Sequence, residues 1–131
     1  MDPTPASSLS ERVTRGDLFQ LGCPSRDVMR HVTSRWGVLV LIALQGETLR
    51  FSRLRRKVSG ISERMLAQTL QWLEADGLVD RHDFKLVPPH VEYSLTPLGQ
   101  QAAAKVAALA DWIEENLDQL QRAPAAVGVE G

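Results

Sequence analysis

A chain of 131 residues, 44% hydrophobic and 24% charged, supports one globular domain with short extensions and is too apolar for a disordered chain. The formal net charge of -1 excludes a simple polycation, but the charge is unevenly spread. Ten Lys/Arg stand against six Asp/Glu between residues 30 and 90, and two against six over residues 91–131. The longest apolar run, residues 38–44, is far short of the roughly 18 residues that span a bilayer, so no membrane partner is expected. The first residues, MDPTPASSLSE, lack a signal peptide's basic and apolar regions, and the single cysteine, Cys23, excludes an intramolecular disulfide. Both point to a cytoplasmic protein.

Residues 1–11, rich in Pro, Ser and Thr, predict a disordered tail, followed by one domain over residues 12–122 and a flexible tail over 123–131. Residues 12–21 suggest a short helical arm with Val13, Leu18 and Leu21 as apolar contacts. After the break at Gly22-Cys23-Pro24, Ser25 is placed to cap a helix in which Val28, Val32 and Trp36 align at helical spacing. Residues 36–44 are apolar nearly all round, as a central core helix would be. In LRFSRLRRKVSGIS, the residues Leu49, Phe51, Leu54 and Val58 read as buried, with Ser52 as the cap of a short helix over residues 53–58.

Gly60 then turns the chain into ISERMLAQTLQWLEADGLVD. Met65, Leu66, Leu70 and Leu73 recur at helical spacing and should pack inward. Arg64, Gln68 and Gln71 form a second stripe, long, polar and rich in hydrogen-bond donors. Ser62 is a natural N-cap, Glu63 suits a helix N-terminus, and Gly77 ends the run. Two helices joined by a tight glycine turn, the second with a polar stripe, make a helix-turn-helix by spacing. Such a helix can present side chains to the major groove of double-stranded DNA. Arg64 could read guanine bidentately and Gln68 or Gln71 adenine. The purely cationic run Arg50, Arg53, Arg55, Arg56 and Lys57, with Ser52, then suits phosphates better than a merely solvated face.

Beyond Gly77 the period changes. LVDRHDF and VEYSL read as strands around the proline-containing KLVPPH, which makes a wing carrying Arg81, His82, Lys85 and His90. Thr96-Pro97 starts a final helix expected to run to about Gln121, longer than ~35 Å. Its apolar residues Ala102, Val106, Leu109, Ile113, Leu117 and Leu120 make a stripe longer than a small domain covers, so a second copy is the expected partner, meeting it through Leu18, Leu21 and the last four. The fold class is therefore α+β, mostly α: a winged helix-turn-helix with a two- or three-stranded antiparallel wing and terminal dimerisation helices.

With these residues laid out, residues 23–120 resemble the HxlR family of bacterial winged-helix regulators, relatives of the MarR group. The carriers are Cys23-Pro24, Arg35-Trp36, RFSRLRR, GISERMLAQTLQWLEADGLVDR and VPPHVEYSLTPLGQ. The resemblance implies a dimeric regulator on a palindromic operator, most often a local repressor or activator, with the helix from Ser62 as the reading helix. Two positions depart from it: Thr69 stands on the reading helix where many members carry arginine, and Glu63 where proline is frequent. Thr69 is retained as a candidate DNA contact. Some members use a cysteine at the position of Cys23 to sense oxidants or electrophiles; a helix N-terminus and a nearby arginine would favour its thiolate. The bland reading of Cys23 is a small buried residue.

Trp36, Trp72 and Trp112 read as structural, with Trp72 and Trp112 able to line a pocket. His31, His82 and His90 do not combine with Cys23 at metal-ligand spacing, so neither a metal nor another cofactor is expected. No phosphate loop, paired carboxylate or nucleophile–base pattern points to an enzyme. Two alternatives stay open: a winged-helix module that binds an acidic protein partner rather than specific DNA, and a regulator answering to a small-molecule effector without thiol sensing.

Overall fold

The computed structural model describes residues 8, 10, 11 and 24–121. The expected arm at residues 12–21 with Leu18 and Leu21, together with Cys23 and the C-terminal tail, lies outside the described residues. The elements run α1 (Pro24–Val32), α2 (Arg35–Ala43), β1 (Leu49–Arg50), α3 (Phe51–Lys57), α4 (Glu63–Ala75), β2 (Val79–Asp83), β3 (Val91–Leu95), α5 (Pro97–Glu115) and α6 (Leu117–Gln121). A mostly helical chain thus carries one small antiparallel sheet, in the order β1-β3-β2.

The apolar segment around residue 40 becomes the central helix. α2 packs on α1, α3, α4 and α5, and Val40 and Leu41 are fully buried. Around them gather Leu44, at the end of α2, and Leu49, Leu54, Leu66, Leu70, Leu73, Val79, Leu95 and Ala103, drawn from all three strands and from α3, α4 and α5. A helix that is apolar on most faces can be solvated only at its edge, and here that edge is Leu39. The break between α1 and α2 has a local cause. The Ser34 hydroxyl accepts from Gly37 N and donates to the His31 carbonyl, so it caps one helix while closing the other. Gly37 allows the approach, because a Cβ there would lie on the His31 carbonyl oxygen.

The chain around the turn is similarly self-capped. Ser62 accepts from Met65 N, and Gly77, at φ +83°, closes α4. Thr96 accepts from Gly99 N and donates to the Gly77 carbonyl, so the cap of α5 also ties that helix to the end of α4.

Three local expectations are corrected. α1 starts at Pro24, and its buried residue is His31, whereas Val28 is exposed. α3 starts at Phe51 with Arg50 at its N-cap and no side-chain cap, so Ser52 sits in the first turn. The sheet, expected with two or three strands, has three, because Leu49 and Arg50 pair with Tyr93 and Glu92. Finally, the long last helix is interrupted at Asn116, whose side-chain amide donates to the Trp112 carbonyl while its backbone leaves the helical region. An asparagine that binds its own helix's carbonyl offers the chain an alternative to continuing.

Candidate nucleic-acid interface

α4 divides cleanly into faces. Leu66, Leu70 and Leu73 enter the core, Met65 and Trp72 are half-buried on one flank, and Arg64 and Gln71 are exposed with Gln68 half-exposed. The polar stripe expected from spacing is therefore present on a capped, rigid helix of 13 residues. Thr69 is not part of it. Its side chain is 1% exposed and its hydroxyl donates to the Met65 carbonyl at 2.7 Å. Thr69 lies one step from Gln68, and that rotation of about 100° turns it into the core.

Beside the N-terminus of α4, an open groove of about 580 Å³ is lined by Phe51, Ser52, Arg55, Arg56 and residues 59–63. Arg50, Arg53 and Arg56 are exposed, and none of the three forms an ion pair among the described residues. Arg55 is engaged differently. Its Nε donates to the Ile61 carbonyl and its Nη1 lies 3.1 Å from Glu63 Oε2, so it braces the turn and the start of α4. Lys57 is also tied down, between the Ala43 carbonyl and Glu47 Oε2, at 2.8 and 2.7 Å. The hydrogen bond from Lys57, then its charge and that of Arg53, hold the Glu47 carboxyl below the ordinary carboxylate value. The cations of this region without an ion pair thus run from the N-cap of α3 to its last turn.

The wing is built on β2 and β3, paired from Val79–Leu95 to Asp83–Val91 and extended by Phe84 N donating to the His90 carbonyl. Asp83 Oδ1 accepts from Lys85 N, and Lys85, exposed at the tip, has φ +59°. Arg81 is exposed and hydrogen-bonds Tyr93 across the strand pair, which raises its already high pKa. His90 is corrected: it is half-buried, with Nε2 2.8 Å from Glu92 Oε2 and its ring edge-on to Phe84. A histidine occupied by a carboxylate is poorly placed to meet a phosphate.

One cluster was not legible in the sequence. His31 is buried, its Nδ1 lies 2.7 Å from Asp76 Oδ2, and its ring stacks on Trp72 at 5.0 Å. The pair fastens α1 to the end of α4, over a separation of 45 residues. Nothing near either residue in the sequence signals it beyond an acidic residue just past α4. Trp112, expected to be structural, is half-exposed on α5 together with Leu109 and Ile113. Among the described residues no group of three or more His, Cys, Asp or Glu is arranged to hold a metal ion, and no helix is long and apolar enough to cross a membrane.

Comparison with known proteins places this geometry. The model of the HxlR-like helix-turn-helix family matches residues 31–121. An Escherichia coli (strain K12) protein carrying the name uncharacterized HTH-type transcriptional regulator YtfH is 63% identical over 113 residues, covering 86% of this chain and 90% of its own. The solved structure of the ytfH protein from Salmonella typhimurium superposes with a TM-score of 0.73 at 65% identity, over 79% of this chain and 93% of that one. The redox regulator HypR in its reduced form, 34% identical, superposes with a TM-score of 0.68 over 76% and 98% of the two chains.

Proposed function

Since the chain belongs to the HxlR-like helix-turn-helix family, and is by that kinship a transcriptional regulator, we propose that it acts as a homodimeric repressor on a palindromic operator and reads bases with Arg64, Gln68 and Gln71. The observation that carries this is the exposed polar stripe of a Ser62-capped α4 beside unpaired cations on α3. A bidentate arginine or glutamine needs its backbone held rigid, and the core side of α4 provides that. Arg50, Arg53 and Arg56, with Ser52, supply phosphate contacts, and Arg81 and Lys85 on the wing extend them. Arg55 and Ser62 act mainly by fixing the turn.

The dimer is supported by the apolar residues that α5 and α6 leave exposed, Leu109 at 56%, Trp112 at 51% and Ile113 at 40%, with Leu120 beyond them. Leu117 is half-buried at the same end. Response to oxidants through Cys23 rests on the likeness to HypR, which is named as a redox regulator; with a single cysteine in the chain, any disulfide joins two subunits or a small thiol.

The test is a fluorescence-anisotropy titration against duplex DNA from upstream of the protein's own gene, at two salt concentrations, with and without diamide. Salt-dependent binding that survives competitor DNA supports the regulator, and Arg64→Ala should cost about 1–3 kcal/mol of discrimination while leaving unrelated duplexes unaffected. Release by diamide in the wild type but not in Cys23→Ser supports the thiol response. Failure to bind this and neighbouring promoter duplexes in either redox state would turn the reading towards a protein partner.

A further inference from the structure

Two arginines outside the helix-turn-helix are each laid on a tryptophan. Arg35, in the first turn of α2, has its guanidinium carbon 4.6 Å from the centre of the Trp36 ring. Arg30, in the last turn of α1, lies 5.8 Å from the Trp72 ring on α4. The two tryptophans border the reading helix. The far edge of Trp36 is 3.9 Å from where a Cβ on Gly60 would sit, at the turn that leads into α4, and Trp72 belongs to the helix itself. α1 and α2 both pack on α4.

Stacking on an aromatic face holds a guanidinium flat and ordered and leaves its N–H edge free to donate. Arg35 is exposed and forms no hydrogen bond or ion pair among the described residues. Besides Trp72, Arg30 meets Asp27 among the described residues, at 3.3 Å with both side chains mostly exposed, a pairing that a phosphate can displace at little cost. A helix in the major groove has sugar-phosphate backbone along both its sides, whereas the cations so far assigned come from α3 and the wing.

We propose that Arg30 and Arg35 form a second line of phosphate contacts beside the reading helix, with α1 and α2 as part of the DNA-binding surface. This rests on the DNA reading above and extends it to elements outside the helix-turn-helix. The contacts carry charge and position but no sequence information.

The experiment measures anisotropy across a salt series for the full chain and for Arg35→Gln, Arg30→Gln and Arg53→Gln. Each is titrated with the upstream duplex and with an unrelated duplex of equal length. Arg35→Gln and Arg30→Gln should each lower the slope of log K against log salt by about one per subunit, about two for the dimer, and weaken both duplexes by the same factor. Arg35→Lys should restore the slope, and unchanged circular-dichroism melts would separate the effect from misfolding. Wild-type slopes in Arg35→Gln and Arg30→Gln, beside a reduced slope in Arg53→Gln, overturn this proposal and leave the regulator standing. Loss of preference between the duplexes at an unchanged slope overturns it in favour of a base contact. Weaker binding with a changed oligomeric state and an unchanged slope overturns it in favour of a contact between copies. A wild-type chain that binds neither duplex overturns both this proposal and the reading beneath it.

Discussion

His31 and Asp76 exclude water from a polar pair whose side chains are 9% and 10% exposed. Removing one partner strands the other, and a buried carboxylate without its partner is costly. His31→Ala should therefore lower stability by about 3 kcal/mol in urea unfolding, and the double variant His31→Ala/Asp76→Ala should lose less than the two single losses added together. Equal and additive losses would show that the contact stabilises nothing. Glu47 gives a different kind of residue-level prediction. Its carboxyl is held low in the folded chain by the hydrogen bond from Lys57 and by the charges of Lys57 and Arg53. A folded value below the unfolded one means that the stabilisation is complete at neutral pH and is lost as the pH falls through the folded value. Glu47→Gln should melt below the wild type at pH 7, and the two curves should converge in acid. Divergence that grows in acid would reverse the assignment.

At the scale of elements, the junction of α4 with α5 is the most constrained. The Thr96 hydroxyl links the two helices through the Gly77 carbonyl, and a Cβ on Gly99 would lie on the Leu78 carbonyl oxygen. Backbone on both sides leaves no flexible side chain to yield. Gly99→Ala should be among the most destabilising single changes, above about 3 kcal/mol, against the gain of up to about 1 kcal/mol that glycine-to-alanine gives in an open helix. A variant that melts like the wild type would mean that α5 shifts freely against α4. Element identity was largely legible here. The Thr96-Pro97 start, the Ser62 cap and the Gly77 stop each depend on neighbours within four residues, and all are present. The start of α3 differs because no side chain caps it and the helix begins at Phe51 all the same, and the last helix breaks because the Asn116 side-chain amide bonds the Trp112 carbonyl.

At the scale of the whole molecule, the exposed apolar residues of α5 and α6 carry the proposed dimer. A charge placed in the middle of that patch would have to be buried unpaired in any such interface. Ile113→Glu should shift sedimentation from dimer to monomer at about ten micromolar protein and weaken operator binding, because each half-site gains from the other through the dimer. A wild-type chain that sediments as a monomer at that concentration would remove the symmetric operator from the reading.

Sequence alone determined the order of helices and strands apart from β1 and α6, the polar stripe of Arg64, Gln68 and Gln71, the unbalanced charge of the middle segment and the apolar run towards the C-terminus. Each is a matter of period, capping or composition, set by residues a few positions apart. Only the tertiary structure decided that Thr69 faces the core and His90 is held by Glu92. It alone brought His31 to Asp76 and laid Arg30 and Arg35 on tryptophans beside α4. Those facts depend on which helix face meets which neighbour, and residues far apart in the chain acquire that relation only when the core closes around α2.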